Sequence, residues 1–237
     1  MSKPFQFKQF TIHQDKCAMK VGTDGVLLGA WTAINMQVNS ILDIGTGTGL
    51  IALQLAQRSD ANLIDAIEID DNAYEQAVEN FENSDWGDRL FCYHASLKEF
   101  IAEIDETYDL IVSNPPFYTD KYYSDNKTRS KARFTSSLPF EELLFSVSKL
   151  LSRNGIFSVI IPYKEEIKFI ELAKKQFLFP KKICHIKGNI SSEIKRSLLE
   201  FSFQETEVDI THLSIEIERH HYTKAYIALV QSFYLKM

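Results

Sequence analysis

Two short strings hold most of the chemistry this sequence could perform. The first is Asn114-Pro115-Pro116-Phe117, directly behind the apolar run Tyr108-Asp109-Leu110-Ile111-Val112. An exocyclic aryl amine or an amide nitrogen is a poor nucleophile because its lone pair is delocalised. Fixed acceptors on its N–H groups favour the pyramidal geometry and stabilise the positive charge that develops as it attacks. Asn114 offers a side-chain carbonyl, Pro115 a backbone carbonyl held rigid by the prolines, and Phe117 a ring that can stack on a planar group. No strong base is needed, since the amine becomes acidic once alkylated, and catalysis is mostly positioning. A rigid exit turn would explain the prolines but not the asparagine or the phenylalanine.

The second string is Asp43-Ile44-Gly45-Thr46-Gly47-Thr48-Gly49, between an apolar run and a helix-like segment. Alternate glycines let the backbone turn tightly and approach a ligand with no Cβ in the way. The dinucleotide fingerprint GxGxxG is not met, because position 50 is Leu and the third glycine comes one residue early. Asp43 before the first glycine would repel a pyrophosphate and suits a cationic, hydroxyl-bearing ligand. Nineteen residues past Gly49 comes Glu68-Ile69-Asp70. An acidic side chain there can accept both hydroxyls of a ribose, and Ile69 can lie against an adenine face. A glycine turn that only packs helix on strand is the plain alternative, and Glu68 at the end of the next strand weighs against it.

These strings need a scaffold, and the hydrophobic pattern predicts one. Strands are expected at 40–44, 63–68, 89–93 and 108–112, with helices at 50–57, 72–81, 97–104 and 140–151. Further along, the pattern predicts a strand at 155–161, a helix at 165–177, hairpin arms at 181–186 and 197–203, a strand near 213–217 and a terminal helix from 223 to about 233. Strands alternating with helices of this length imply an α/β fold, a parallel sheet covered on both faces. Both strings then fall at the carboxyl ends of strands, where open α/β sheets bind ligands. Residues 1–38 read differently, with Phe5, Phe7 and Phe10 opening a possible strand and an apolar helical face at Val26, Leu27, Ala30 and Trp31. We expect one compact domain: an N-terminal segment, 1–38, on a body of 39–237.

The chain has 237 residues, 45% of them apolar and 24% charged, close to the globular average. Basic residues number 26 and acidic ones 32, a net charge of −6. That balance disfavours a protein that wraps duplex DNA by bulk charge, though it allows a local basic patch. Cys17, Cys92 and Cys184 are scattered and odd in number, which points to a reducing cytoplasm and not to a disulfide framework. No Cys/His spacing suggests zinc, and His220 and His221 are expected in an exposed loop. No signal peptide or membrane-spanning run is expected.

The glycine string resembles the first motif of the class I methyltransferases that bind S-adenosylmethionine. The resemblance implies a Rossmann-like, seven-stranded, mostly parallel sheet with an antiparallel last strand. It implies Asp43, Gly45, Gly47 and Gly49 facing the methionine moiety, Glu68 on the ribose, and Ile69 and Asn114 completing the site. Where the family often has an Asp on the adenine amine, Tyr93-His94-Ala95-Ser96 offers Ser96. Asn114–Phe117 resembles methyltransferases of planar nitrogens: adenine N6 of nucleic acid, or the glutamine amide of release factors. Gln14 to Trp31 and Tyr226 to Met237 are similar to the bacterial tRNA(Val) adenine-N6 methyltransferases, which act on the adenosine 3′ of the anticodon. That likeness implies that the N-terminal segment closes over the methionine end, with Thr23 and Asp24 nearby. The expected catalytic residues are Asn114, Pro115 and Phe117. The expected RNA contacts are Tyr118, Lys127, Arg129, Lys131 and Arg133, in a stretch of interleaved cations and aromatics. A second basic group is Lys181, Lys182, Lys187, Lys195 and Arg196. The rival readings are a glutamine-N5 methyltransferase, for which 38 residues are too few to form the usual helical recognition domain, and a noncatalytic cofactor-binding subunit.

Overall fold

The computed structural model describes residues 3–35, 37–116 and 138–236. A small ladder, β1 (Phe5–Gln6) with β2 (Thr11–Ile12), leads to helix α1 (Thr23–Trp31). The alternating body follows: β3 (Ser40–Ile44), α2 (Leu50–Arg58), β4 (Leu63–Glu68), α3 (Asp71–Glu82), β5 (Leu90–His94), α4 (Leu97–Glu103) and β6 (Tyr108–Ser113). After the segment outside the described residues come α5 (Phe140–Leu150), β7 (Leu151–Pro162), α6 (Glu166–Lys175), β8 (Phe179–Asn189) and β9 (Ile194–Ser202). The chain finishes with β10 (Asp209–Glu218), β11 (His221–Tyr222) and α7 (Lys224–Val230).

The main sheet has nine strands in the order β11-β10-β8-β9-β7-β6-β3-β4-β5. Strands β5, β4, β3, β6 and β7 run parallel, and β9 inserts antiparallel between β7 and β8. The expected seven strands are all there, including the antiparallel hairpin partner, and β10 and β11 extend the sheet past β8. The expected strand near 213–217 is β10, which starts earlier, at Asp209, where its residues are exposed; β11 is two exposed residues at the edge and carries no pattern. His221 belongs to β11 and not to a loop, although it is exposed as expected.

Successive side chains of a strand point to opposite faces, and both faces here are covered. Ile41, Val112, Ile160 and Leu198 pack with α1, α2 and α7 on one side. Leu42, Ile111, Phe157 and Leu199 pack with α4, α5 and α6 on the other. Double coverage explains why β3, β4 and β6 read as continuous apolar runs. The N-terminal segment belongs to the first of these cores and is not a separate lobe. Val26, Leu27 and Leu28 of α1 are fully buried, each contributing roughly 1.5–3 kcal/mol by removal from water. Phe7 stacks on Phe10 at 4.8 Å and pairs with Tyr234, tying the two ends of the chain together.

Candidate active site

The register of three neighbouring strands builds the site. Ile44 of β3 sits opposite Ile67 of β4 and Ser113 of β6, so the next residues, Gly45, Glu68 and Asn114, leave the sheet side by side. The Ser113 hydroxyl donates to the Ile44 carbonyl at 2.9 Å, fastening the exit of β6 to that of β3. Asn114 is half-buried and Pro115 buried. Phe117, Tyr118, Lys127, Arg129, Lys131 and Arg133 lie outside the described residues.

Gly45, Gly47 and Gly49 all take positive φ, at 72°, 59° and 80°, a region that favours glycine. They do different jobs. A Cβ on Gly45 or Gly47 would meet nothing within 4 Å, so these two border open space. A Cβ on Gly49 would come within 2.5 Å of the Phe81 ring, so Gly49 lets α3 pack against the start of α2. The Cα face of Gly49 is thus taken by packing, while that of Gly45 and Gly47 is open.

Glu68 holds this loop in shape. Its Oε2 accepts from the Gly47 amide at 2.9 Å, and its Oε1 accepts from the amides of Ile69 and Asp70 at 2.8 and 2.9 Å. Ile69 beside it is 51% exposed, leaving an apolar face open for a planar ring. Asp43 is wholly buried, and burial pushes its carboxyl up to about 7; the Thr46 hydroxyl, donating at 2.6 Å, opposes that rise. The other Asp43 oxygen, Oδ1, is buried with no hydrogen-bond partner. A cradle open at two glycines, negative charge buried beneath it at Asp43 and a second carboxylate at the next strand's end fit S-adenosylmethionine: methionine amine, then ribose.

Ser96 has another task. It caps α4 in a reciprocal box, donating its hydroxyl to Glu99 Oε2 at 2.6 Å and accepting from the Glu99 amide at 3.3 Å. Its sequence position after β5 is as expected, but its hydroxyl is committed to the helix. On the same side, the His94 ring stacks on Tyr74 at 5.1 Å and lies 3.0 Å from Asp71.

Contacts that no sequence pattern signalled tie the N-terminal segment to the site. Asn80 of α3 accepts from the His13 amide and donates to the carbonyls of His13 and Thr48. Gln76 accepts from the Lys16 amide, and Lys16 pairs with Glu75 and Glu79. Cys17 is consequently buried near Glu68 and Asp70; burial first, then those carboxylates, pushes its thiol up to about 12. The segment therefore reaches the Glu68 end. Thr23 opens α1 and lines a separate cleft, while Asp24 accepts from Arg196 at 2.8 Å. The second basic group is split by its strands: Lys181 and Lys182 sit at the start of β8, with Lys182 3.9 Å from the buried Glu200, and Lys187, Lys195 and Arg196 at the site's edge of the sheet. Among the described residues no cluster of three or more His, Cys, Asp or Glu side chains could hold a metal, and no helix is long and apolar enough to cross a membrane.

Comparison with known proteins agrees with this geometry. Residues 23–135 match the methyltransferase small domain family. A tRNA1(Val) (adenine(37)-N6)-methyltransferase of Christiangramia forsetii is 60% identical, covering 100% of this chain and 99% of the relative. Relatives of the same description in Flavobacterium psychrophilum and Bacteroides fragilis are 61% and 46% identical, over 98% and 100% of this chain and all of theirs. Among solved structures, a predicted O-methyltransferase from Agrobacterium tumefaciens superposes with a TM-score of 0.67 at 18% identity, covering 89% of this chain and 96% of that one. A ribosomal protein L11 methylase from Lactobacillus delbrueckii gives 0.58 at 18% identity, covering 81% and 83%. These two share the fold.

Proposed function

Because the chain belongs to the tRNA1(Val) (adenine(37)-N6)-methyltransferase family, we propose that it transfers a methyl group from S-adenosylmethionine to N6 of adenosine 37 of tRNA(Val). The observation that carries this reading is the row Glu68–Gly45–Asn114. That row sets the Glu68 carboxylate, an open glycine cradle and the carbonyls of Asn114 and Pro115 on adjacent strand ends. A tRNA substrate places the reaction in the cytoplasm.

When bound, the cofactor supplies a methyl group on a positively charged sulfur. The chain's residues do the rest. Gly45 and Gly47 admit the methionine portion, the buried Asp43 carboxylate stabilises its ammonium from beneath, Glu68 takes the ribose hydroxyls and Ile69 underlies the adenine. For those hydroxyls, Glu68 must share oxygens now given to three amides. Asn114 Oδ1 and the Pro115 carbonyl accept the two N–H bonds of the target adenine amine, hold its lone pair toward the methyl, and stabilise the charge it acquires. The amine's proton leaves afterwards to water, so no resident base is called for. Phe117, by its place in the motif, is assigned to stack on the target base.

The test is incubation of the protein with methyl-labelled S-adenosylmethionine and unmodified tRNA(Val), followed by nucleoside analysis. Label in N6-methyladenosine at position 37 is expected. Label in protein glutamine would favour the release-factor reading, for which no observation here speaks.

A further inference from the structure

The C-terminal string around Tyr226 and Tyr234 has no part in the site just described. It borders an open cleft of about 490 Å³ on the same edge of the sheet. Four aromatic rings wall it: Phe5, Tyr222, Tyr226 and Tyr234, with Gly188 between them and Lys236 alongside. Tyr222 and Tyr226 lie 5.3 Å apart, Phe5 and Tyr234 6.1 Å apart, and the hydroxyls of Tyr226 and Tyr234 are hydrogen-bonded to each other. Tyr226 is buried, whereas Tyr222 is 37% exposed. The rings are therefore fixed from behind and still present a surface. Gly188 also lines the cleft, and a Cβ there would meet only Ser192 Oγ, at 3.8 Å, so the backbone has room for a larger side chain.

The cleft's position relates it to the chemistry. Gly188 lies next to the end of β8 and Glu216 near the end of β10, and β10 is four strand steps from β6 and Asn114. At about 4.8 Å per step the separation is roughly 19 Å. Helix α1 stands between the cleft and the cofactor loop. Its first residue, Thr23, lines the cleft, and Gly25, two residues in, packs against Leu50 at the start of α2. Charge is sorted over this edge. Lys236 lines the cleft and Lys187 and Lys195 lie along the same sheet edge, while Glu216 stands in the wall. A carboxylate in the wall repels a phosphate and accepts readily from a base N–H. Aromatic walls with one lysine in the lining, two more along the same sheet edge and a carboxylate inside match an unstacked base whose phosphates stay outside.

We propose that this cleft binds a second, unstacked nucleobase of the tRNA, a few nucleotides from the target adenine, and so fixes the register of the loop over Asn114. The proposal rests on the tRNA methylation reading. It assigns Tyr222 and Gly188 to RNA positioning, with no contact to the reacting atoms.

The test uses the full-length protein, an anticodon stem-loop RNA of tRNA(Val), and the variants Tyr222→Ala, Tyr222→Phe and Gly188→Leu, the last adding bulk to the lining. Loss of one base stack should raise the RNA dissociation constant and KM roughly tenfold in Tyr222→Ala and Gly188→Leu. Tyr222→Phe should retain wild-type values. Affinity for S-adenosylhomocysteine and the thermal midpoint should stay unchanged in all three, which separates a lost subsite from a damaged fold. On the wild type, 5-iodouridine placed at positions flanking the target should photocross-link to Tyr222 or Tyr226. A wild type that methylates the RNA, with both cleft variants binding it normally and cross-links only elsewhere, overturns the proposal. A wild type that transfers no methyl to RNA overturns the underlying reading instead, and the proposal with it.

Discussion

At the scale of single residues, Asp43 and Asn114 make separable predictions. An unperturbed Asp titrates near 3.9, and burial holds Asp43 up at about 7. Its folded value lies above its unfolded one, so its contribution to stability is complete below about pH 4 and is lost as pH rises through 7. A cationic amine beside the carboxylate favours the ionised form. Cofactor binding should therefore release a proton and tighten as pH rises from 6 to 8, by at most tenfold per unit. Thermal denaturation and calorimetry across that range, on wild type and Asp43→Asn, would measure both effects; identical pH profiles for the two proteins would remove Asp43 from the site. For Asn114→Ala, turnover should fall roughly a hundredfold or more, the scale of losing one preorganised group that stabilises developing charge. Affinity for S-adenosylhomocysteine should hold. Normal turnover in that variant would exclude Asn114 from the chemistry.

At the scale of the element, the glycine turn between β3 and α2 divides into a ligand-facing part and a packing part. Gly47→Ala and Gly49→Ala both force an alanine into positive φ, which costs about 1 kcal/mol or more. Gly49→Ala also drives a methyl into Phe81, which is itself fixed in the core, and overpacking typically adds 1–3 kcal/mol. Gly49→Ala should thus lower the thermal midpoint of the cofactor-free protein more than Gly47→Ala does. Gly47→Ala, projecting into open space, should lose more cofactor affinity than its stability loss explains. If the two variants rank the same way in both measurements, the turn has no such division.

At the scale of the whole molecule, a chain at net −6 has to hold a polyanion. Residues 118–134 carry five basic and two acidic side chains, a local excess of three. Changing Lys127, Arg129, Lys131 and Arg133 together to Gln should weaken tRNA binding. It should also flatten log affinity against log salt by about two to three units, since single-stranded contacts contribute near −0.7 each. Affinity for S-adenosylhomocysteine should survive, because Glu68 and the glycine turn are elsewhere in the chain. An unchanged slope in filter binding across a salt series would transfer the electrostatic role to Lys187, Lys195 and Lys236.

The sequence by itself determined the alternating body, the place of Asp43–Gly49 and Glu68 at strand ends, and Asn114 behind β6. Each of these is written in local pattern: apolar runs of strand length, helices of regular period, and residue types that suit one backbone conformation or one chemistry. It missed what depends on which surfaces meet. Gly49 looks like Gly45 until Phe81 arrives from α3, and Ser96 looks free until Glu99 turns back to it. The basic string 181–196 looks like one patch until an antiparallel hairpin sends its lysines to opposite ends of the sheet. Strand β11, two exposed residues, is too short to show a period, and the aromatic cleft joins residues 5, 188, 222 and 234, which share no local signal. Contacts between distant segments are decided by packing, because the side chains that meet there are specified by the register of the sheet and not by their neighbours in the chain.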